Sequence, residues 1–392
     1  MRRGTVRRAT VALLTMGLLA AATACSQPPP EFYDPPGTPS GAPGSVIRTV
    51  ASSFGGSANH TAVAVHYRST SATGQRNAVT GTVIVPKAAW TGAGERPIVS
   101  FAVGTQGLGD NCAPSKSIPG GTAYEQGALQ ALLDKGWAVA VTDYEKLGTP
   151  GDHTYVVAAA EAHAVLDIVR AAVQIDELGL SPSAPVGIMG YSQGGQAAAK
   201  AAEVEGSYAP ELDVRGVVAG GVPSDLARLA TTLDGGAFFT FLGYAAVGLD
   251  SAYPELDLES YLSPSGAQLL ETARNSCLAD GLLQGAFQSI DTLTTTNPLE
   301  EPDWQARLAE NQLGNATPAV PVLQYHALLD EIIPFDQGTR LRDAWCASGA
   351  QVRWSEYWLA EHALGIFAGQ AESITFLNDR FTGAPFQPTC NA

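Results

Sequence analysis

Pro185-Val186-Gly187-Ile188-Met189-Gly190-Tyr191-Ser192-Gln193-Gly194 is the stretch that decides how this chain folds. Its first five residues form an apolar run, bounded upstream by Ser181-Pro182-Ser183, that reads as a buried strand. An Ala-rich segment from Gln196 to Glu205 follows and reads as helix. Between them lies a G-x-S-x-G pentapeptide. Strand, sharp turn and helix are the setting that makes this pattern a nucleophile elbow. The glycines let neighbouring backbone pass close to the turn, and the serine hydroxyl stands above a sheet at the positive end of a helix.

The same strand–helix rhythm extends outward from the elbow. Val63 to Tyr67 and Ala78 to Val85 alternate around a Thr73-Gly74 turn and predict an antiparallel hairpin at a sheet edge. Apolar runs at Ile98–Val103, Ala138–Thr142, Val186–Met189, Val214–Val218, Val320–Tyr325 and Val352–Tyr357 predict further strands. Helical patterns at Ala123–Lys135 and Tyr155–Val173 lie between them. This alternation predicts an α/β protein with a mostly parallel sheet covered by helices on both faces, with reactive residues at the carboxyl ends of its strands. The rhythm breaks over 224–317, where Asp225–Leu233, Ala237–Val247, Ser263–Cys277 and Trp304–Leu313 read as helices. That segment separates two core strands and is expected to be an inserted helical cap, with core halves at 46–223 and 318–392. Its Phe238-Phe239-Thr240-Phe241-Leu242 cluster fits cap packing on one face and the wall of an acyl-binding tunnel on another.

In the hydrolase order an acid and then a histidine follow the serine. Two histidines lie beyond Ser192, His326 and His362. Glu361-His362-Ala363-Leu364-Gly365 follows the last predicted strand, where the base belongs, and His326 reads as a polar strand-end packing residue. Asp330 sits in a strand-end turn closed by Pro334 and is the candidate acid; Glu331 and Asp336 compete and read otherwise as solvated loop charge. In this arrangement His362 takes the proton of Ser192 as the hydroxyl attacks an acyl carbonyl, and Asp330 holds the imidazole tautomer. The oxyanion needs two aimed donors: the backbone N–H of Gln193, and one from the loop Gly104-Thr105-Gln106-Gly107.

Charge and cysteines set the compartment. Arg2, Arg3, Arg7 and Arg8, then the apolar stretch Ala9–Ala22 and the Ala22-Thr23-Ala24 site, read as a secretory signal over 1–24. Cys25 directly after the cut suggests a lipoprotein, although Ala22 replaces the branched aliphatic residue usual three positions before that cysteine. The expected location is therefore extracellular, either free or anchored to the outer face of the membrane through a lipidated Cys25. Cleavage leaves 18 basic against 38 acidic side chains, a net charge of −20. Such a balance argues against nucleic-acid binding and for a neutral substrate. Residues 25–45 are Pro/Gly/Ser-rich and read as a tether. Cys112, Cys277, Cys346 and Cys390 imply two disulfides, for which spacing alone allows three pairings; no metal and no cofactor is expected.

Taken together, Asn111-Cys112-Ala113-Pro114-Ser115, Asp143-Tyr144-Glu145 with Leu147-Gly148, Gly190-Tyr191-Ser192 with Gly194-Gly195, Tyr325-His326 with Asp330-Glu331-Ile332-Ile333-Pro334, and His362 resemble the secretory lipase family of the α/β-hydrolase superfamily. The resemblance spans about Phe32 to Cys390. It implies an α/β-hydrolase fold with a helical cap, hydrolysis of lipid or other acyl esters, and the triad Ser192, Asp330 and His362. It also implies Gln106 as the second oxyanion residue, where a yeast member carries aspartate, and the bridges Cys112–Cys277 and Cys346–Cys390. That yeast member continues past its last cysteine into a flap, whereas this sequence ends at Asn391-Ala392. Lid behaviour and long-chain preference are therefore not carried over, and an esterase-leaning lipase or carboxylesterase acting on short to medium acyl esters or on triacylglycerols is expected. The same triad could transfer an acyl group to an alcohol or cleave an amide, and a silent binding protein on the same scaffold is the reading outside enzymology.

Overall fold

The computed structural model describes residues 27–35 and 37–390. The signal segment 1–24, its cleavage site and Cys25 lie outside the described residues. Among the described residues nine strands form one sheet: β1 (Val46–Ser52), β2 (His60–Thr70), β3 (Arg76–Pro86), β4 (Ile98–Ala102), β5 (Ala138–Thr142), β6 (Pro185–Tyr191), β7 (Asp213–Gly220), β8 (Val322–Ala327) and β9 (Val352–Tyr357). Their order across the sheet is β1-β2-β3-β5-β4-β6-β7-β8-β9. β1, β2 and β3 are antiparallel and β3 joins β5 antiparallel; from β5 to β9 every pairing is parallel.

The central strands are apolar on both faces because helices cover both. Every residue of β4, β5 and β8 is buried. The helices Ala158–Ala172 and Gln193–Tyr208 pack over the sheet with their alanines against it. Small residues there let helix and sheet backbones approach closely. The final helix, His362–Phe381, covers the later strands through Phe376 and Leu377.

Two parts of the molecule differ from the sequence expectation. The hairpin β2–β3 does not form the sheet edge, because β1 pairs outside it. The stretch read as a tether is packed in part: Pro30–Tyr33 forms a 3₁₀ turn, Phe32 is buried against the His66 ring, and the Tyr33 hydroxyl bonds Ser115 Oγ at 3.0 Å. Pro/Gly composition conceals these two aromatic anchors, each of which contributes on the order of 2 kcal/mol by burial.

The chain between β7 and β8 leaves the sheet and forms helices at Leu226–Leu233, Phe239–Ala252, Pro264–Arg274, Leu278–Gly285, Ile290–Leu293 and Pro302–Glu310. Gln337 fastens its entrance: its side chain accepts from Asp225 N at 2.8 Å and donates to Asp225 O at 2.9 Å. Cys112–Cys277 ties this cap to the loop after β4, and Cys346–Cys390 ties the C-terminal residues to the helix Phe335–Ala347.

Candidate active site

β6 ends at Tyr191, and the helix Gln193–Tyr208 begins two residues later, with Ser192 between them at φ 61°, ψ −121°. An L-residue in that region is strained, and the surrounding contacts must hold it there. The glycines make the turn possible. A Cβ on Gly190 would lie 2.1 Å from Gly194 O, and one on Gly194 would lie 1.9 Å from Ala102 O. The first turn of the helix therefore packs against the end of β4.

Three side chains from distant parts of the sequence form one hydrogen-bonded line here. Ser192 Oγ lies 3.0 Å from His362 Nε2, and His362 Nδ1 lies 2.8 Å from Asp330 Oδ2. His362 opens the last helix, whose free N–H groups on Ala363 and Leu364 are capped by the Glu361 carboxylate. Tyr191, beside the serine, donates its hydroxyl to His362 O at 2.7 Å. Asp330 Oδ1 accepts from Ile332 N at 3.1 Å and Ile333 N at 2.7 Å, which leaves Oδ2 directed at the imidazole. Such an arrangement holds a proton on Nδ1 and a lone pair on Nε2 toward the hydroxyl.

The other candidate acids make no hydrogen bond to the imidazole. Asp336 pairs with Arg228 and with Arg340. Glu331 is more than a solvated charge, since its Oε2 accepts from His362 N at 3.1 Å. His326 lies at the end of β8, fully buried, but closer to the site than a packing residue need be: its Nε2 is 2.9 Å from Ile333 O and 3.4 Å from Asp330 Oδ2. Burial pushes its pKa down, so it is a neutral donor that supports the Asp330 turn.

Of the two expected oxyanion residues, Gln193 follows the serine directly and Gln106 lies in the loop after β4. Among the described residues no acceptor engages the backbone N–H of Gln193 or of Gln106. Ala102 pairs with Gly190, so the loop leaving β4 starts beside the elbow, and a Cβ on Gly104 would be 3.4 Å from Tyr191 O. The Gln106 amide turns into the protein, donating to Gly104 O at 3.0 Å and Glu125 Oε2 at 3.3 Å. Any donation by this residue toward substrate therefore falls to its backbone.

Above Ser192 and Gln193 the cap encloses a cavity of about 100 Å³, walled by residues such as Leu226, Leu229, Phe239, Leu242 and Leu293, with Ile333 from the Asp330 turn. Phe239 and Leu242, in the aromatic cluster, face this chamber and are buried. Glu125, His153 and Glu161 escaped the sequence reading, and Tyr191 stood in it only as a motif position, without its bond to His362. His153 is fully buried, and Glu161 is one of two acids, with Asp167, in an otherwise largely apolar helix, with no local pattern to mark it as internal.

A mostly parallel sheet with a serine at a strand–helix elbow, an imidazole–carboxylate pair at its strand ends and an apolar chamber beneath a helical cap defines a capped α/β-hydrolase fold. Residues 114–388 match the family model described as Secretory lipase. The chain belongs to the secretory lipase family. It is 31% identical over 377 residues to a protein of Mycobacterium tuberculosis named as a probable inactive lipase, covering 91% of this chain and 82% of the relative. It is also 31% identical over 386 residues to a secreted triacylglycerol lipase of Malassezia globosa, covering 92% and 80%. Among solved structures, lipase A of Candida antarctica superposes with a TM-score of 0.85 at 26% identity, over 94% of this chain and 90% of that one.

Proposed function

We propose that this protein hydrolyses carboxylic esters through an acyl-enzyme on Ser192. The observation that carries the reading is the unbroken Ser192–His362–Asp330 line, whose serine lines an apolar chamber. His362 accepts the Ser192 proton as Oγ attacks the ester carbonyl, then delivers it to the leaving alcohol. Asp330 stabilises the imidazolium. The backbone N–H of Gln193, at the positive end of its helix, and that of Gln106 receive the oxyanion. Water, activated by the same imidazole, releases the acid.

The chamber takes the acyl chain. Its walls are almost entirely apolar, which suits an acyl chain, and short to medium chains are the expected substrates. A chain-length series of p-nitrophenyl esters is expected to peak at about four to six acyl carbons, and a flat or rising profile to sixteen carbons would contradict this. The name of the Malassezia globosa relative supports action outside the cell. Lipidation of Cys25 would hold the enzyme to the outer membrane face; mass spectrometry of the mature N-terminus tests for it.

The name of the Mycobacterium tuberculosis relative favours a second reading, a silent scaffold. The intact line of three side chains speaks against it here. If the purified protein fails to hydrolyse p-nitrophenyl butyrate faster than a Ser192→Ala variant, the silent reading stands.

A further inference from the structure

Two carboxyl groups that take no part in the reaction are buried against the segments bearing the two expected oxyanion donors, Glu125 at 4% exposure and Glu161 at 0%. Glu161 comes from the helix Ala158–Ala172. Its Oε1 accepts from Gln193 Nε2 at 2.7 Å and from Val156 N at 2.9 Å. The remaining hydrogen of the Gln193 amide points to His153 Nε2 at 3.1 Å, and His153 Nδ1 donates to Glu145 O at 2.9 Å. The first residue of the elbow helix is thus held by its side chain. Val156 has a φ of 52°, a conformation that a β-branched residue adopts only under constraint, and it lines the chamber.

Glu125 grips the other side. Its Oε1 accepts from Gly104 N at 3.1 Å and its Oε2 from Gln106 Nε2 at 3.3 Å. The peptides between these two points carry the N–H groups of Thr105 and Gln106. Thr105 Oγ1 in turn lies 2.7 Å from the hydroxyl of Tyr155, the neighbour of Val156. One arc therefore runs from Glu125 through the loop, Thr105, Tyr155 and Val156 to Glu161 and Gln193, joining the two segments that carry the expected oxyanion donors.

We propose that Glu125 and Glu161 are paired positioning residues, each fixing one of the two backbone donors that face the developing oxyanion. This rests on the ester-hydrolase reading. The two clamps differ in one respect. Glu161 uses a single oxygen for both its bonds, so a glutamine can keep both through its own carbonyl oxygen. Glu125 uses both oxygens, and a glutamine there must lose one bond.

The test is steady-state hydrolysis of p-nitrophenyl butyrate by the full mature protein and its variants. Rates are expressed per site counted by fluorophosphonate titration, which removes misfolded protein from the comparison. Assays run at pH 9, above the value of about 8 to which burial raises both groups, so that the wild type is compared as carboxylate. Glu161→Ala, Glu125→Ala and Glu125→Gln are expected to lower kcat about tenfold or more, with KM within about threefold, because a misaimed donor acts on the transition state. Glu161→Gln is expected to keep kcat within about threefold of wild type. If Glu161→Ala does not fold, Glu161→Asp, one methylene too short to reach both donors, replaces it with the same expected loss. Wild-type kcat in the alanine variants, losses confined to KM, or a Glu161→Gln loss as large as that of alanine would each overturn the proposal. An inactive wild type would instead overturn the ester-hydrolase reading on which it rests.

Discussion

Asp330 divides its two oxygens between structure and chemistry: Oδ1 accepts two backbone N–H groups of its own turn, and Oδ2 meets His362 at 2.8 Å and His326 at 3.4 Å. Asp330→Asn should therefore fold normally while presenting an amide to the imidazole and favouring the wrong tautomer. A fall in kcat of about 10³–10⁴-fold is expected, measured on p-nitrophenyl butyrate. His326 makes a smaller contribution. As a buried neutral donor it steadies the Asp330 turn without touching Ser192, so His326→Ala should lower kcat roughly tenfold at most, far less than His362→Ala. Equal losses in the two histidine variants would show that the roles are misassigned. At this scale the sequence is legible where chemistry demands a residue type in a fixed order, as at Ser192, Asp330 and His362. It is silent at Glu161 and Glu125, because an acid in a helix or turn looks solvated until tertiary packing encloses it.

The elements that carry these residues are joined unevenly, and their connections predict different mutant behaviour. The bridge Cys112–Cys277 spans 165 residues and anchors the loop bearing Gln106 to the cap, beside the bonds Leu278 N to Gln106 O at 2.8 Å and Leu108 N to Ser276 O at 3.1 Å. Cys346–Cys390 spans 44 residues and lies away from the site. Loss of either bridge should reduce stability by about 2–5 kcal/mol. Loss of Cys112–Cys277 should also lower kcat at temperatures where the variant is still folded, and loss of the other should not; thermal melts paired with rates at 15 °C test this.

In the cap, Phe239, Gly243 and Leu270 wall both the acyl chamber and a second cavity of about 20 Å³. Phe239→Ala should merge the two and shift the preferred acyl chain upward by several carbons, at about 3–5 kcal/mol of stability. An unchanged chain-length profile would contradict the position assigned to that ring. The elements themselves were readable in proportion to their periodicity. β4 to β9 and the elbow helix follow from apolar runs bounded by turns. β1 and the Pro30–Tyr33 turn do not, because β1 is only half-buried and the turn is held by two aromatic contacts that composition does not announce.

Across the whole molecule, buried ionisable groups oppose one another in their effect on stability. Burial raises Glu125 and Glu161 to about 8 and Asp143 to about 6. The folded state then holds protons that the unfolded chain has already released, so their effect on stability declines as pH rises from about 4.5 to 8. Burial lowers His66 and His153 to about 4, so the unfolded chain takes up protons first and stability declines as pH falls from about 6.5 to 4. Above about 6.5 only the carboxyl groups act. The melting temperature should therefore fall from pH 6.5 to 8.5, and Glu161→Gln, which cannot ionise, should lessen that alkaline fall. A melting temperature still rising from pH 6.5 to 8.5 would contradict the burial of these carboxyl groups.

The central claim, that Ser192 is an activated nucleophile, is tested most directly by covalent labelling. A fluorophosphonate applied to the purified protein, followed by peptide mass spectrometry, should place one adduct on Ser192 and abolish hydrolysis of p-nitrophenyl butyrate in proportion to labelling. Absence of an adduct, an adduct on another residue, or full activity after complete labelling would contradict it.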